Sequence, residues 1–222
     1  MTGYAMTAFD ELLPRGTAIV EAEPGVCWET GLWPEEEPHI ARAIDQRRRE
    51  FTAGRNCARR ALAALRVAPA AIGVGPAGEP LFPPGVSGSI THTGQYCAAA
   101  VVASEDIASI GIDADTRRPL PAGAVDVILR PDERQTLTIA APFAGKLVFC
   151  IKEAFFKAYF QRAARYLDFQ DAHVTLMPSE RRFEIRVVGE YAAAWSRERV
   201  FGGRYAMDNA RIYAAVAMMH RP

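Results

Sequence analysis

One stretch constrains this chain more than any other, an apolar run that delivers two carboxylates: Ile110-Gly111-Ile112-Asp113-Ala114-Asp115. Side chains alternate faces along a strand, so Asp113 and Asp115 point the same way. Two like charges held that close repel unless a cation lies between them, and hard oxygen donors suit Mg2+ better than zinc. The spacing predicts a helix from about Lys146 to Arg162, with Leu147, Cys150, Ile151, Ala154, Phe155 and Ala158 on its buried face. Another face carries Phe149, Glu153, Phe156, Lys157 and Phe160. Glu153 there supplies a third carboxylate, and Lys157, one turn on, a positive charge. Three acids and a lysine gathered at one spot are how a site handles phosphate through a metal. Taken alone, Glu153 and Lys157 are an ordinary i,i+4 surface pair worth about 0.3–0.5 kcal/mol. The three phenylalanines are either core packing or the border of a groove for a partner helix.

At 222 residues, half of them hydrophobic and 23% charged, the chain makes one large domain or two small ones with a real core. Its 26 Lys and Arg balance 26 Asp and Glu, which points away from nucleic acid or an acidic membrane as partner. Cys27, Cys57, Cys97 and Cys150 form no C-x-x-C pair and are expected to be reduced, buried thiols of a cytoplasmic protein. No signal peptide is evident beside Asp10-Glu11, and no apolar run approaches the roughly 20 residues that span a bilayer.

Taken in order, Val20 to Trp28 is expected to hold a short strand, and Glu35-Glu36-Glu37-Pro38 a polar lead into a helix. Ile44, Phe51, Ala58, Leu62 and Leu65 recur at helical spacing within His39 to Leu65. Arg48, Thr52, Arg55 and Arg59 make a second ridge, expected to be solvated unless an anion is bound nearby; Arg47 lies beside it. Gly73 to Pro80 and Pro83-Pro84-Gly85 are turns. Ser87 to Gly94 is a strand end passing into a turn. His92 there, among small hydroxyl residues and glycines, is open between a structural role and an anion contact. His39, His173 and His220 have no such setting. Ala98 to Val102 and Ile107 to Ile112 are expected strands, Pro119 to Gly123 a loop, Pro131 to Arg134 the start of a short helix, and Ala140 to Gly145 a break. Ala172 to Met177, Phe183 to Val188 and Ala210 to Met218 are further expected strands, Glu190 to Arg197 a short helix, and Gly202-Gly203 a turn. Each half thus has a long helix beside several antiparallel strands, which suggests two related units.

The sequence resembles the 4′-phosphopantetheinyl transferases of the larger, monomeric type, in the actinobacterial and enterobactin-synthase branch. The likeness rests on motifs in order: Arg47-Arg48-Arg49-Glu50-Phe51-Thr52-Ala53-Gly54-Arg55-Asn56-Cys57-Ala58-Arg59, Ala77-Gly78-Glu79-Pro80, Gly88-Ser89-Ile90-Thr91-His92, Gly111-Ile112-Asp113-Ala114-Asp115, and Phe149-Cys150-Ile151-Lys152-Glu153-Ala154-Phe155-Phe156-Lys157-Ala158. It implies an α+β fold of two similar α/β subdomains in pseudo-twofold arrangement, residues 1–106 and 107–222, each a small antiparallel sheet on a long helix. It implies transfer of the phosphopantetheine arm of coenzyme A to a serine of an acyl or peptidyl carrier protein. Asp113, Asp115 and Glu153 would bind Mg2+, or Mn2+ in its place, with the pyrophosphate of coenzyme A. Arg47, Arg55 and His92, with Thr91 alongside, would hold its phosphates, and Gly78, Glu79 and Pro80 would line the adenosine end. Lys157 would neutralise the transferred phosphate and Glu153 would take the serine proton. Periodicity pairs Arg48 with Arg55, whereas motif register pairs Arg47 with Arg55. Two positions depart from the family pattern: Ala77 stands where a basic residue is common, and Asp115 where glutamate is. A non-catalytic coenzyme A-binding module and a metal-dependent phosphohydrolase are the alternatives.

Overall fold

The computed structural model describes residues 7–137, 142–189 and 200–220. Its first half contains β1 (Ala18–Ala22), α1 (Val26–Glu29), a 3-10 turn (Glu37–Ile40), α2 (Asp45–Ala64), β2 (Gly73–Val74), β3 (Pro80–Leu81), β4 (Val86–Thr93) and β5 (Tyr96–Ala103). There follow β6 (Ser109–Thr116), α3 (Ala122–Ile128), α4 (Pro131–Thr136), α5 (Ala144–Ala163), β7 (Ala172–Met177), β8 (Arg182–Val187), β9 (Val200–Met207) and β10 (Arg211–Met218). Among the described residues the strands form an antiparallel sheet β1-β5-β4, a larger one β6-β10-β9-β8-β7, and the short β2-β3 ribbon.

Strand alternation dictates how these layers stack. In β5, Cys97, Ala99 and Val101 face Ala53, Cys57, Ala58 and Leu62 of α2, while Tyr96, Ala98, Ala100 and Val102 face the second sheet. In β10, Tyr213 and Ala215 meet that second set, while Ile212, Ala214, Val216 and Met218 face Ile151, Ala154, Phe155 and Ala158 of α5. The order is therefore helix, sheet, sheet, helix: two α/β subdomains back to back, each helix covering the outer face of its own sheet. The small residues of β5 let the two sheets and α2 approach closely.

β6 obeys the same rule. Ile110, Ile112 and Ala114 point into the core between the sheets, so Gly111, Asp113 and Asp115 point toward α5. A Cβ on Gly111 would lie 1.9 Å from the Ala154 carbonyl oxygen and 2.7 Å from the Ala158 nitrogen. Only glycine admits α5 at this distance. Gly111→Ala is therefore expected to push the helix off the strand, with a cost of about 3 kcal/mol or more in urea denaturation. An unchanged midpoint would contradict the close approach.

Several elements depart from the sequence expectations. Val20 to Trp28 is split, its strand ending at Ala22 and a helical turn starting at Val26. The first long helix starts only at Asp45, and Ile44 is exposed at its N-cap. Residues 119–123 are not loop throughout, because α3 begins at Ala122. β4 continues to Thr93 before turning at Gly94. Gly202 and Gly203 lie inside β9, where a Cβ on Gly203 would meet the Phe183 ring at 2.2 Å. The expected helix Glu190 to Arg197 lies outside the described residues, as does the start of the break expected over Ala140 to Gly145.

The arginine ridge on α2 is not a solvated face either. Arg59 is buried, and its Nη1 donates to both carboxylate oxygens of the fully buried Glu36, at 2.5 and 2.6 Å. Glu36 also accepts from the Ile72 and Trp33 amides, so its charge is fully partnered. All four cysteines are free and buried. No helix among the described residues is long and apolar enough to cross a membrane.

Candidate active site

The site is built where β4, β6, α2 and α5 meet. Asp113 is buried, and its Oδ1 accepts from Lys157 Nζ at 2.7 Å and from Thr91 Oγ1 at 3.0 Å. Lys157 Nζ also donates to the Ile112 carbonyl at 3.0 Å, so the helix lysine grips the strand at two points. Asp115 accepts from Lys146 Nζ at 2.6 Å, from Thr93 Oγ1 at 3.0 Å and from the Thr116 amide. Burial acts to raise its pKa, but Lys146 and these hydrogen bonds hold it below the usual aspartate value. Glu153 differs. Burial pushes its pKa up, Lys157 opposes this, and the nearby Asp113 charge adds to the rise. One carboxylate is thus held below its ordinary pKa and another above it.

α2 and the end of β4 provide the opposite wall. Arg47 Nη1 donates to His92 Nε2 at 2.8 Å. An arginine cannot accept, so Nε2 carries no proton here, and Nδ1, 3.4 Å from Glu50 Oε2, bears the hydrogen. Burial lowers the pKa of His92, and the Arg47 and Lys157 charges lower it further against the pull of Glu50 and Asp113. Arg55 is buried over the Phe51 ring and donates to the Ile72 and Gly73 carbonyls. Burial pushes its pKa down to about 10, which leaves it charged near neutrality. Arg48 turns away to the Ile40 carbonyl and Glu37. The Glu79 carboxylate folds back on its own turn, accepting from the Ala77 amide at 2.9 Å, and Gly78 adopts a positive φ there.

A cavity of about 740 Å³ lies between these walls. Arg47, Arg55, Gly78, Glu79, Pro80, Thr91, His92, Asp113, Asp115, Glu153 and Lys157 all line it. Phe149, Phe156 and Phe160 border the same space, and the first two also pack on Phe169, with ring centroids 5.9 and 5.5 Å apart. The three rings line the cavity, and Phe149 and Phe156 also pack against the core. Among the described residues, however, no three His, Cys, Asp or Glu side chains are grouped so as to hold a metal ion. The expected three-acid cage is met only in that the acids share a cavity; the ammonium groups of Lys157 and Lys146 sit on the aspartates instead. Carboxylate oxygens are donors of the kind a hard divalent ion takes, but binding one here would require Lys157 and Lys146 to release the aspartates.

Some participants were not singled out from the sequence. Lys146 lies in the first turn of α5 and pairs with Asp115; Glu50 lies one turn from Arg47 and faces His92; Gln161 lies one turn beyond Lys157. Their helical spacing from recognised residues was the available signal. Tyr166, whose hydroxyl donates to the Ala77 carbonyl across the cavity, carried none.

The fold and site define a two-subdomain α/β protein whose central cavity sets cations opposite carboxylates, suited to a polyanionic ligand. Residues 35–102 match the 4′-phosphopantetheinyl transferase N-terminal domain, and residues 109–210 match the 4′-phosphopantetheinyl transferase superfamily. The 4′-phosphopantetheinyl transferase Npt of Nocardia iowensis is 46% identical over 144 residues, 64% of this chain and 65% of the relative. The 4′-phosphopantetheinyl transferase PptT of Mycobacterium tuberculosis is 45% identical over 145 residues, 64% of each chain. The 4′-phosphopantetheinyl transferase Svp of Streptomyces mobaraensis is 36% identical over 193 residues, 84% of this chain and 78% of the relative. The matches to Npt and PptT thus span just under two thirds of those proteins. The chain belongs to the 4′-phosphopantetheinyl transferase superfamily, in the larger bacterial branch of these relatives.

Proposed function

We propose that the chain transfers the 4′-phosphopantetheine arm of coenzyme A to a serine of an acyl or peptidyl carrier protein and releases adenosine 3′,5′-bisphosphate, acting as a cytoplasmic monomer that requires Mg2+. The observation that carries this is the one cavity in which Arg47, Arg55 and His92 stand across from Asp113, Glu153 and Lys157. Arg47, Arg55, His92 and Thr91 hold phosphates; the backbone of Gly78 to Pro80 borders the adenosine. Asp113, Asp115 and Glu153 would hold Mg2+, which when bound supplies positive charge at the diphosphate. Lys157 adds a second positive centre beside the phosphorus under attack. The serine oxygen forms the new phosphorus–oxygen bond as the bond to adenosine bisphosphate breaks. Glu153, which burial holds above the ordinary glutamate pKa, accepts the serine proton.

Mass spectrometry of apo carrier proteins incubated with coenzyme A and Mg2+ tests the proposal: one added phosphopantetheine arm is expected. Coenzyme A binding with no arm on any carrier of a panel would leave a binding module, and free phosphopantetheine without acceptor a hydrolase.

His92 supplies a pH test. Its lowered pKa keeps the imidazole neutral in the free protein, so it contributes stability above the unfolded value of 6.5 that is lost as pH falls toward the folded pKa. A phosphate placed beside it favours the charged form, so coenzyme A binding takes up a proton near neutrality. The calorimetric enthalpy of binding is expected to vary with the ionisation enthalpy of the buffer, and His92→Gln to remove most of that variation. Equal dependence in both proteins would exclude His92 as the proton acceptor.

A further inference from the structure

Among the described residues the outer edge of β6 has no backbone ladder with another strand, yet its polar groups are satisfied in a regular way. β10 pairs with one edge, leaving the amides of Ile110, Ile112 and Ala114 on the other. They donate to Ser87 Oγ, Ser89 Oγ and Thr91 Oγ1 of β4 at 3.2, 3.1 and 3.0 Å. Two carbonyls of the same edge go to α5. Ile112 receives Lys157 Nζ at 3.0 Å, and Ile110 receives Gln161 Nε2 at 2.6 Å. The two sheets are thus joined by side chains rather than by a backbone ladder.

The seam has two rungs of different make-up. At the first rung, Ala114 donates to Thr91, Thr91 and Lys157 both donate to Asp113, and Lys157 holds the Ile112 carbonyl. At the second rung, the Ile110 amide donates to Ser87, Ser87 donates to Gln161 Oε1 at 2.7 Å, and Gln161 Nε2 returns to the Ile110 carbonyl. That is a closed ring through β6, β4 and α5. Gln161 Nε2 also lies 2.9 Å from the Lys157 carbonyl, tying the two rungs along the helix. A neutral amide suits the second rung because it must donate to a carbonyl and accept from a hydroxyl at once, which a lysine cannot do.

We infer that Gln161 is a positioning residue: with Ser87 it locks α5 to β4 and β6 in the register that sets Lys157 Nζ against Asp113. Its catalytic consequence rests on the transferase reading; its structural consequence does not. Gln161 is an exposed residue near the end of α5, so substitutions there are accommodated without opening the core.

The test uses the full chain with Gln161→Met, which fills similar space and makes neither bond, and Gln161→Lys, which restores a donor for the Ile110 carbonyl. Amide hydrogen exchange by NMR is expected to speed up about tenfold or more at Ile110 in Gln161→Met, with distant β8 amides unchanged, as for a local opening. Transfer is expected to lose about tenfold in kcat with KM for coenzyme A within about twofold, a loss matching one or two hydrogen bonds. Gln161→Lys, which restores the donor to the Ile110 carbonyl but not the acceptor for Ser87, should recover only part of the kcat. A merely structural residue would lower the melting temperature and exchange protection throughout, without a selective kcat loss or a rescue. Unchanged Ile110 exchange, or faster exchange with kcat intact, would overturn the inference. An unmodified chain that moves no arm onto any carrier would instead remove the transferase reading, and Ile110 exchange would still decide whether Gln161 locks the seam.

Discussion

Glu133→Ala is expected to destabilise the protein by about 4 kcal/mol, because it strands a buried cation. Lys152 and Glu133 are both fully buried, with Nζ 2.8 Å from Oε2. The lysine spends its other two donors on the Ile128 and Phe169 carbonyls, each at 2.8 Å. The glutamate also accepts from the Arg130 amide at 2.8 Å and the Val174 amide at 2.6 Å. One ion pair therefore ties α3, α4, α5 and β7 together beneath the site. Burial pushes the Lys152 pKa down, and the hydrogen bond to Glu133 opposes it. Removing the carboxylate leaves the ammonium without its counter-charge and orphans two amides. Thermal unfolding should fall by on the order of 10 °C for a chain of this size. The double variant Glu133→Gln with Lys152→Met should be more stable than Glu133→Ala, since no buried charge is left alone. Equal stability of Glu133→Ala and the parent would refute the role.

That pair also marks where sequence reasoning stops. Glu133 is legible as a first-turn acid of a short helix, and it is one, since its carboxylate closes on the Arg130 amide. That the same carboxylate receives a lysine 19 positions on is not a local property. Glu36 and Arg59 repeat the lesson, as a polar lead and a presumed solvated ridge that bury each other. Local patterning did define β7, whose bounds match the expected Ala172 to Met177, and the buried face of α5. It failed at β9, where Gly203 is a strand residue because Phe183 lies over it, a cross-strand reason that reads locally as a turn. At the site, side chains on one strand or one helix could be placed from their period. Those reached across the fold could not: Lys146 finds Asp115 from 31 positions away, and Ser87 finds Gln161 from 74.

Glu153→Gln separates what the site does from what the fold needs. Transfer is expected to fall by about a thousandfold or more, since a base and a candidate metal oxygen are lost together while Lys157 keeps its bond to Asp113. Stability should move the other way. The raised pKa of Glu153 means that its contribution is fully present below the unfolded value of 4.5 and is lost as pH rises through the folded pKa. A neutral amide escapes that loss. The melting temperatures of the two proteins should therefore nearly coincide around pH 4, and the variant should melt higher at pH 8. Mg2+ then distinguishes the roles of this carboxylate. An ion that binds only the folded state raises the melting temperature of the parent at pH 8, and Glu153→Gln should lose most of that gain if Glu153 is a ligand. A variant that loses transfer but keeps the full Mg2+ shift would leave Glu153 as the base alone and return the ion to the two aspartates.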